Sequence, residues 1–237
     1  IAAILDKADE LRTRRRHALL QLGALTQSVF HTMFELSEKW PLSNVGLLAE
    51  VVGGVQVSSK RESLPVEVPY LRVANVHRGS LDLEEIKTMR VTSKELSRVR
   101  LRADDVLIVE GHGNPTEIGR CARWTGEIDD CVYQNHLIRA RFGEQVINST
   151  YAEHHLNSSK GRRHLVKSGK TTSGLNTIST SNVKDCPMPI PPIELQREFA
   201  NRIAAIDRVK NQFRSQLTDL DTLFASLGNR AFNGELR

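Results

Sequence analysis

At 237 residues the chain has room for one large domain, or for one globular domain with helical extensions. Its 39% hydrophobic and 26% charged content excludes wholesale disorder, and the absence of any apolar run of about 18 residues excludes a membrane-spanning helix. A formal charge of +5 suits a polyanionic partner without requiring one. Cys121, Cys131 and Cys186, odd in number and widely spaced, make no disulfide framework and point to a reducing cytoplasm. The opening Ile1-Ala2-Ala3-Ile4 has neither a secretory pattern nor an initiating methionine, so the sequence reads as a piece of something longer.

Residues 1–38 contain no proline and one glycine. Ala8, Leu11, Arg15, Ala18, Leu22, Leu25 and Val29 follow steps of three and four, the seam spacing of a coiled coil. Glu10 and Arg14 stand one turn apart and can pair. Trp40-Pro41 blocks continuation, so the helix is predicted to end near Phe34.

Over residues 39–193 glycine, proline, serine and threonine become frequent. Val51-Val52, Tyr70–Val73, Asp105–Val109 and His136–Ala140 read as strands, and Ser93–Val99 and Ile147–Leu156 as short helices. After Pro187-Met188-Pro189-Ile190-Pro191-Pro192 the helical rhythm returns over 194–237, through Ile206, Val209, Phe213, Leu217, Leu220, Leu223 and Leu227. The expected fold class is α+β: a mixed domain flanked by two long helices that pair as an antiparallel coiled coil and bury each other's apolar stripes.

The two helices also resemble each other. Ile1-Ala2-Ala3-Ile4 recurs as Ile203-Ala204-Ala205-Ile206. Leu19, Leu22, Leu25, Val29 and Phe34 match Leu217, Leu220, Leu223, Leu227 and Phe232 at a constant offset of 198. A bland account is that any two amphipathic helices align on their leucines. The alternative is a duplicated unit with internal pseudo-symmetry.

With these residues in view, the chain resembles the type I restriction-modification specificity subunits along nearly its whole length. Ile4-Leu5-Asp6-Lys7-Ala8-Asp9-Glu10-Leu11-Arg12 resembles the family's central helical region. Pro191-Pro192-Ile193-Glu194-Leu195-Gln196 resembles the proline-rich start of its second helix, and Ala231-Phe232-Asn233-Gly234-Glu235-Leu236 that helix's end. Between them, Pro69–Val76, Glu110-Gly111-His112-Gly113, Ile118-Gly119-Arg120 and Gln134-Asn135-His136 look like the skeleton of one class of target-recognition domain. The resemblance implies a non-catalytic subunit in which a target-recognition domain (39–193) reads half of a bipartite double-stranded DNA site. The helices (1–38 and 194–237) would set spacing and dock methyltransferase subunits, with restriction subunits joining through the complex. The family pattern has two recognition domains and this chain has one. It would be either the C-terminal half of such a subunit, lacking its N-terminal half, or a half-size subunit that pairs with a second copy. A coiled-coil protein-interaction module is the rival from another class.

From His154 to Lys184 there are six basic residues (Lys160, Arg162, Arg163, Lys167, Lys170 and Lys184) and no Asp or Glu. Uncompensated positive charge of this kind either faces an anion such as phosphate or forms a solvated loop. Gly169-Lys170-Thr171-Thr172-Ser173-Gly174-Leu175-Asn176 could enter a groove; it lacks the earlier glycine of a nucleotide-binding loop. Arg72, Asn75, His77 and Arg78 follow a strand and are candidate base readers, although Arg72 and Asn75 could instead brace the loop. His112 and Asn114 sit in a turn-rich loop, where Glu110 would orient a neighbouring arginine. Gln134, Asn135 and His136 read equally as supports or readers.

No catalytic residue, metal site or cofactor is expected. The lone Asn114-Pro115-Thr116-Glu117 is not a methyltransferase motif, no Pro-Asp nuclease motif occurs, and the cysteines and histidines lack paired ligand spacing.

Overall fold

The computed structural model describes residues 2–36, 40–172 and 175–232. The chain divides into two compact units, Ile1–Glu38 with Glu198–Arg237, and Lys39–Arg197.

In the first unit, helix α1 (Ala2–Phe30) continues into a π-helical turn, His31–Glu35, close to the predicted end. Its partner is the part of the last helix, Ile193–Phe232, that lies beyond Arg197. The two run antiparallel, since contacts that rise along α1 fall along its partner. Arg12 lies over the Phe224 ring, Arg15 over Phe213, and Thr26 accepts from Lys210. Phe30, Phe34 and Phe199 close one end as a buried trio with centroids 5.3–5.5 Å apart.

The phase of the seam differs from the sequence expectation. Leu11, Leu25, Val209 and Leu223 are exposed, while Arg12, Thr26, Lys210 and Phe224 take the inner positions. Long cationic stems can cover apolar surface and still reach a carboxylate, as Arg12 reaches Asp221 at 2.5 Å. The swap occurs at two equivalent places in each helix. The sequence offset of 198 carries Arg12 onto Lys210 and Thr26 onto Phe224. The Arg12–Phe224 contact therefore maps onto the Lys210–Thr26 contact, and Arg15–Phe213 maps onto itself. The contact pattern is two-fold symmetric about Arg15–Phe213.

The second unit begins with β1 (Leu42–Asn44), a helical turn α2 (Val45–Leu48) and β2 (Ala49–Gly53). It continues through β3 (Val66–Leu71), β4 (Val76–His77), β5 (Ser80–Leu81), β6 (Lys87–Val91) and helix α3 (Ser93–Val99). Then come β7 (Val106–Val109), β8 (Gly111–His112), β9 (Cys121–Arg123), β10 (Val132–Tyr133) and β11 (Leu137–Phe142). Helices α4 (Ser149–Asn157) and α5 (Ser159–Ser168) lead to β12 (Lys170–Thr172), β13 (Leu175–Thr177), α6 (Thr180–Lys184), β14 (Pro187–Pro189) and finally α7 (Ile193–Phe232).

A four-stranded sheet, β2-β11-β7-β9, is wholly antiparallel and carries the unbroken apolar run Val106–Val109 at its centre, all of it buried. Leu107 and Val109 pack with Tyr70, Leu71, Trp124, Tyr133 and Leu137 into the core. The expected helix at Ser93–Val99 is present, started by a Thr92–Glu95 capping box. The helix expected at Ile147–Leu156 runs Ser149–Asn157, capped by Asn148. The strand expected over Tyr70–Val73 stops at Leu71, because the Asn75 side chain takes the Arg72 N–H and turns the chain into a 3-10 helix. Pro191 and Pro192 precede α7, and the buried Gln196 amide donates back to the Pro191 carbonyl at 2.7 Å.

Candidate nucleic-acid interface

The acid-free basic stretch folds as helix and hairpin. Ser158 caps α5 by accepting from Gly161 N–H. Gly161 lets α5 turn directly out of α4, since a Cβ there would stand 2.0 Å from the His155 carbonyl oxygen. Gly161 and Leu165 are buried. Gly119, at φ +69°, passes so close beneath that a Cβ would meet Leu165 at 2.8 Å. Lys160, Arg163 and Lys167, spaced i, i+3, i+7, form one exposed stripe with no ion pair among the described residues.

Arg162 points to a different purpose. It is half-buried and donates to the Thr116 carbonyl, which also accepts from Arg78 at 3.2 Å. Arg78 lies 3.7 Å from Glu117, and Glu117 pairs with Arg120 at 3.0 Å. The hydrogen bond from Arg120 holds the Glu117 carboxyl below the ordinary carboxylate range. Burial, then the neighbouring Arg78 charge, pulls Arg162 down from the ordinary guanidinium value. Arg162 Nε is buried without a hydrogen-bond partner among the described residues. Two guanidiniums sharing one carbonyl leave positive charge in surplus, an arrangement that accepts an anion. Asn157 locks this corner by donating to the Cys121 carbonyl at 2.8 Å and accepting from Cys121 N–H at 3.1 Å.

The sequence candidates separate as follows. His77 and Arg78 are exposed at the β4–β5 turn, where Gly79 adopts φ +71°. His112 is half-buried and accepts from Asn114 N–H at 3.0 Å, while exposed Asn114 accepts from Thr116 N–H and hydroxyl. Strand β13 pairs with β8, which sets the hairpin backbone beside His112. The side chains of Lys170, Thr171 and Thr172, and residues Ser173 and Gly174, lie outside the described residues.

Asn75 requires a correction. It is buried, its amide donates to the Asp82 and Glu85 carbonyls, and its oxygen takes Arg72 N–H. A side chain so committed braces the loop and has no amide hydrogen left for a base. Half-buried Arg72 turns the same way, donating to the Glu85 carbonyl at 3.2 Å and lying 3.3 Å from its carboxylate. The arginine expected beside Glu110 is not found among the described residues. Gln134 and Asn135 are half-buried and His136 is exposed. Sequence reading missed the anchoring roles of Glu117 and Asn157, whose contacts join segments about 40 residues apart. Only the Ile118-Gly119-Arg120 string hinted at this corner.

All three cysteines are buried; burial pushes the Cys131 and Cys186 thiols up to about 12 and raises the Cys121 thiol well above its ordinary value. Among the described residues no cluster suited to a metal ion is present, and no helix is long and apolar enough to cross a membrane.

No family model matches the chain. It is 27% identical over 242 residues to the StySPI type I restriction enzyme specificity subunit of Salmonella potsdam, covering 99% of this chain and 51% of that protein. It is 28% identical over 218 residues to the EcoKI specificity subunit of Escherichia coli K12, covering 85% of this chain and 46% of that protein. Among solved structures, the type I restriction-modification S subunit from M. genitalium superposes with a TM-score of 0.60 at 15% identity, over 95% of this chain and 58% of that one. The chain thus spans about half the length of the curated relatives it matches. It shares the fold of solved S subunits, and its curated homologues are type I restriction enzyme specificity subunits.

Proposed function

We propose that this chain is a non-catalytic DNA-recognition subunit of a type I restriction-modification complex, acting in the cytoplasm. Residues 39–193 read one half of a bipartite double-stranded site. The helices of 1–38 and 194–237 set the spacing to the other half-site and dock the methyltransferase subunits, through which restriction subunits join. The observation that carries the reading is the unpaired stripe Lys160, Arg163, Lys167 on α5, beside the surplus charge of Arg78 and Arg162. DNA phosphates supply the matching anions. Lys170, Thr171 and Thr172 on the hairpin, with His77, His112 and Asn114, complete the proposed contact set.

Fluorescence anisotropy with a labelled duplex tests this. The logarithm of the affinity is expected to fall linearly with the logarithm of salt concentration, with a slope of about −0.9 per neutralised phosphate. Arg163→Glu with Lys167→Glu is expected to abolish it. Salt-independent binding, or binding indifferent to the reversal, would favour a protein-interaction module.

The half-length coverage is equally consistent with a second reading, in which two copies pair and read a symmetric site. Light scattering on the intact gene product decides it: a dimer supports pairing, and a monomer that binds only with a companion half opposes it.

A further inference from the structure

Glu110 stands apart from the other carboxylates near the interface. It follows the buried strand β7 and is fixed by the main chain on both sides: its N–H donates to the His136 carbonyl at 2.9 Å and its own carbonyl accepts from Ile178 N–H at 2.9 Å. It thus lies at the root of the β8–β13–β12 sheet, two residues before His112. Its carboxylate makes no ion pair or hydrogen bond among the described residues, whereas Glu117, in the same loop region, is held by Arg120 and Arg78. Half-burial with no compensating cation pushes the Glu110 carboxyl above its ordinary range. The fold therefore bears a cost at this position and receives no internal contact for it.

DNA restricts what such a group can meet. Phosphates and deoxyribose present acceptors to a protein, and a carboxylate accepts as well. The donors a duplex offers are the exocyclic amino groups on its base edges: cytosine N4 and adenine N6 in the major groove, guanine N2 in the minor. A carboxylate on a phosphate-binding face is repelled by the backbone, and the direct hydrogen-bond donors the duplex offers it lie on the bases.

We propose that Glu110 is a specificity-determining residue that accepts a hydrogen bond from an exocyclic amino group in the major groove. This rests on the DNA-recognition reading above. Selection from a randomised duplex library with the wild-type chain, Glu110→Gln and Glu110→Asp, followed by sequencing, tests it. The wild type is expected to restrict one position to cytosine or adenine. Gln keeps one acceptor and gains a donor, so it is expected to lose roughly tenfold discrimination at that position, or to shift it to adenine, with the other positions unchanged. Its affinity for random duplex is expected to hold or rise, because a negative charge has left the phosphate field. Asp retains the charge at shorter reach and is expected to weaken the same position, which keeps the test valid should Gln fold poorly. Variants that bind with the wild-type profile at every position overturn the role of Glu110 and leave DNA recognition standing. A wild type that selects no sequence and binds no duplex overturns both.

Discussion

The helical pair and the sheet domain both place arginines inside, in different company. In the helical pair the guanidiniums of Arg12 and Arg15 lie 4.5 Å over the rings of Phe224 and Phe213, and Arg12 shares Asp221 with Arg16. In the domain the partners are carboxylates: Arg141 grips the fully buried Asp105 through two bonds of 2.7 Å, and Arg61 meets Glu95 at 2.6 Å. A ring supplies packing area and a weak electrostatic attraction, whereas a buried carboxylate supplies a full counter-charge that fails badly if its partner is removed. In both regions a cation the fold uses has its partner within the same unit. The stripe on α5 has none among the described residues, which is why we propose it as the surface that meets an anion outside the chain.

The sharpest way to break this comparison is at Asp105. Its carboxylate also accepts from Arg102 N–H at 2.8 Å, so Asp105→Ala strands both a guanidinium and a backbone donor. The expected loss is about 3–5 kcal/mol, read by urea denaturation. Arg15→Met keeps a flexible apolar stem against Phe213 and removes only the charge, for an expected loss of about 1 kcal/mol. Equal losses at the two sites would erase the distinction between ring-held and carboxylate-held arginines.

Acid sharpens it further. The hydrogen bond from Arg61, aided by Thr92, lowers the Glu95 carboxyl from 4.5 to about 2. A group whose folded value is depressed stabilises above its unfolded value and loses that contribution as pH falls through the folded one. The contribution is therefore complete above about pH 4.5 and gone near pH 2. The Glu95 side chain is 27% exposed, so solvent screening holds it below about 1 kcal/mol. Unfolding measured at pH 6 and pH 3 should show the gap between wild type and Glu95→Gln narrowing at the lower pH. A gap that widens would contradict the pairing.

The sequence carried the order of elements well because long periodic helices and the run Val106–Val109 leave little choice. It misjudged the seam by one position at Leu11, Leu25, Val209 and Leu223, because hydrophobicity favours leucine while the seam takes Arg12, Thr26, Lys210 and Phe224. It left α5 unassigned, since Gly161 and a charge-rich stretch conceal a helix whose inner face is only Gly161 and Leu165. The basic candidates were legible from charge alone. Their grouping was not, because Arg78 and Arg162 meet at a backbone carbonyl, Thr116, and a carbonyl has no sequence signature.

The smallest effect expected on stability belongs to that same helix. Lys160, Arg163 and Lys167 are exposed and unpaired among the described residues, and alanine is the best helix former, so the triple substitution Lys160→Ala, Arg163→Ala, Lys167→Ala should change the unfolding free energy by no more than about 0.5 kcal/mol. Duplex binding should respond very differently. If each side chain neutralises one phosphate, the slope of log affinity against log salt falls by about 2.7, at roughly 0.9 per contact. Loss of slope without loss of stability is the signature of cations retained for an external anion. A large stability loss with the slope unchanged would instead assign them to the fold, like Arg141, and would remove the contrast on which the interface rests.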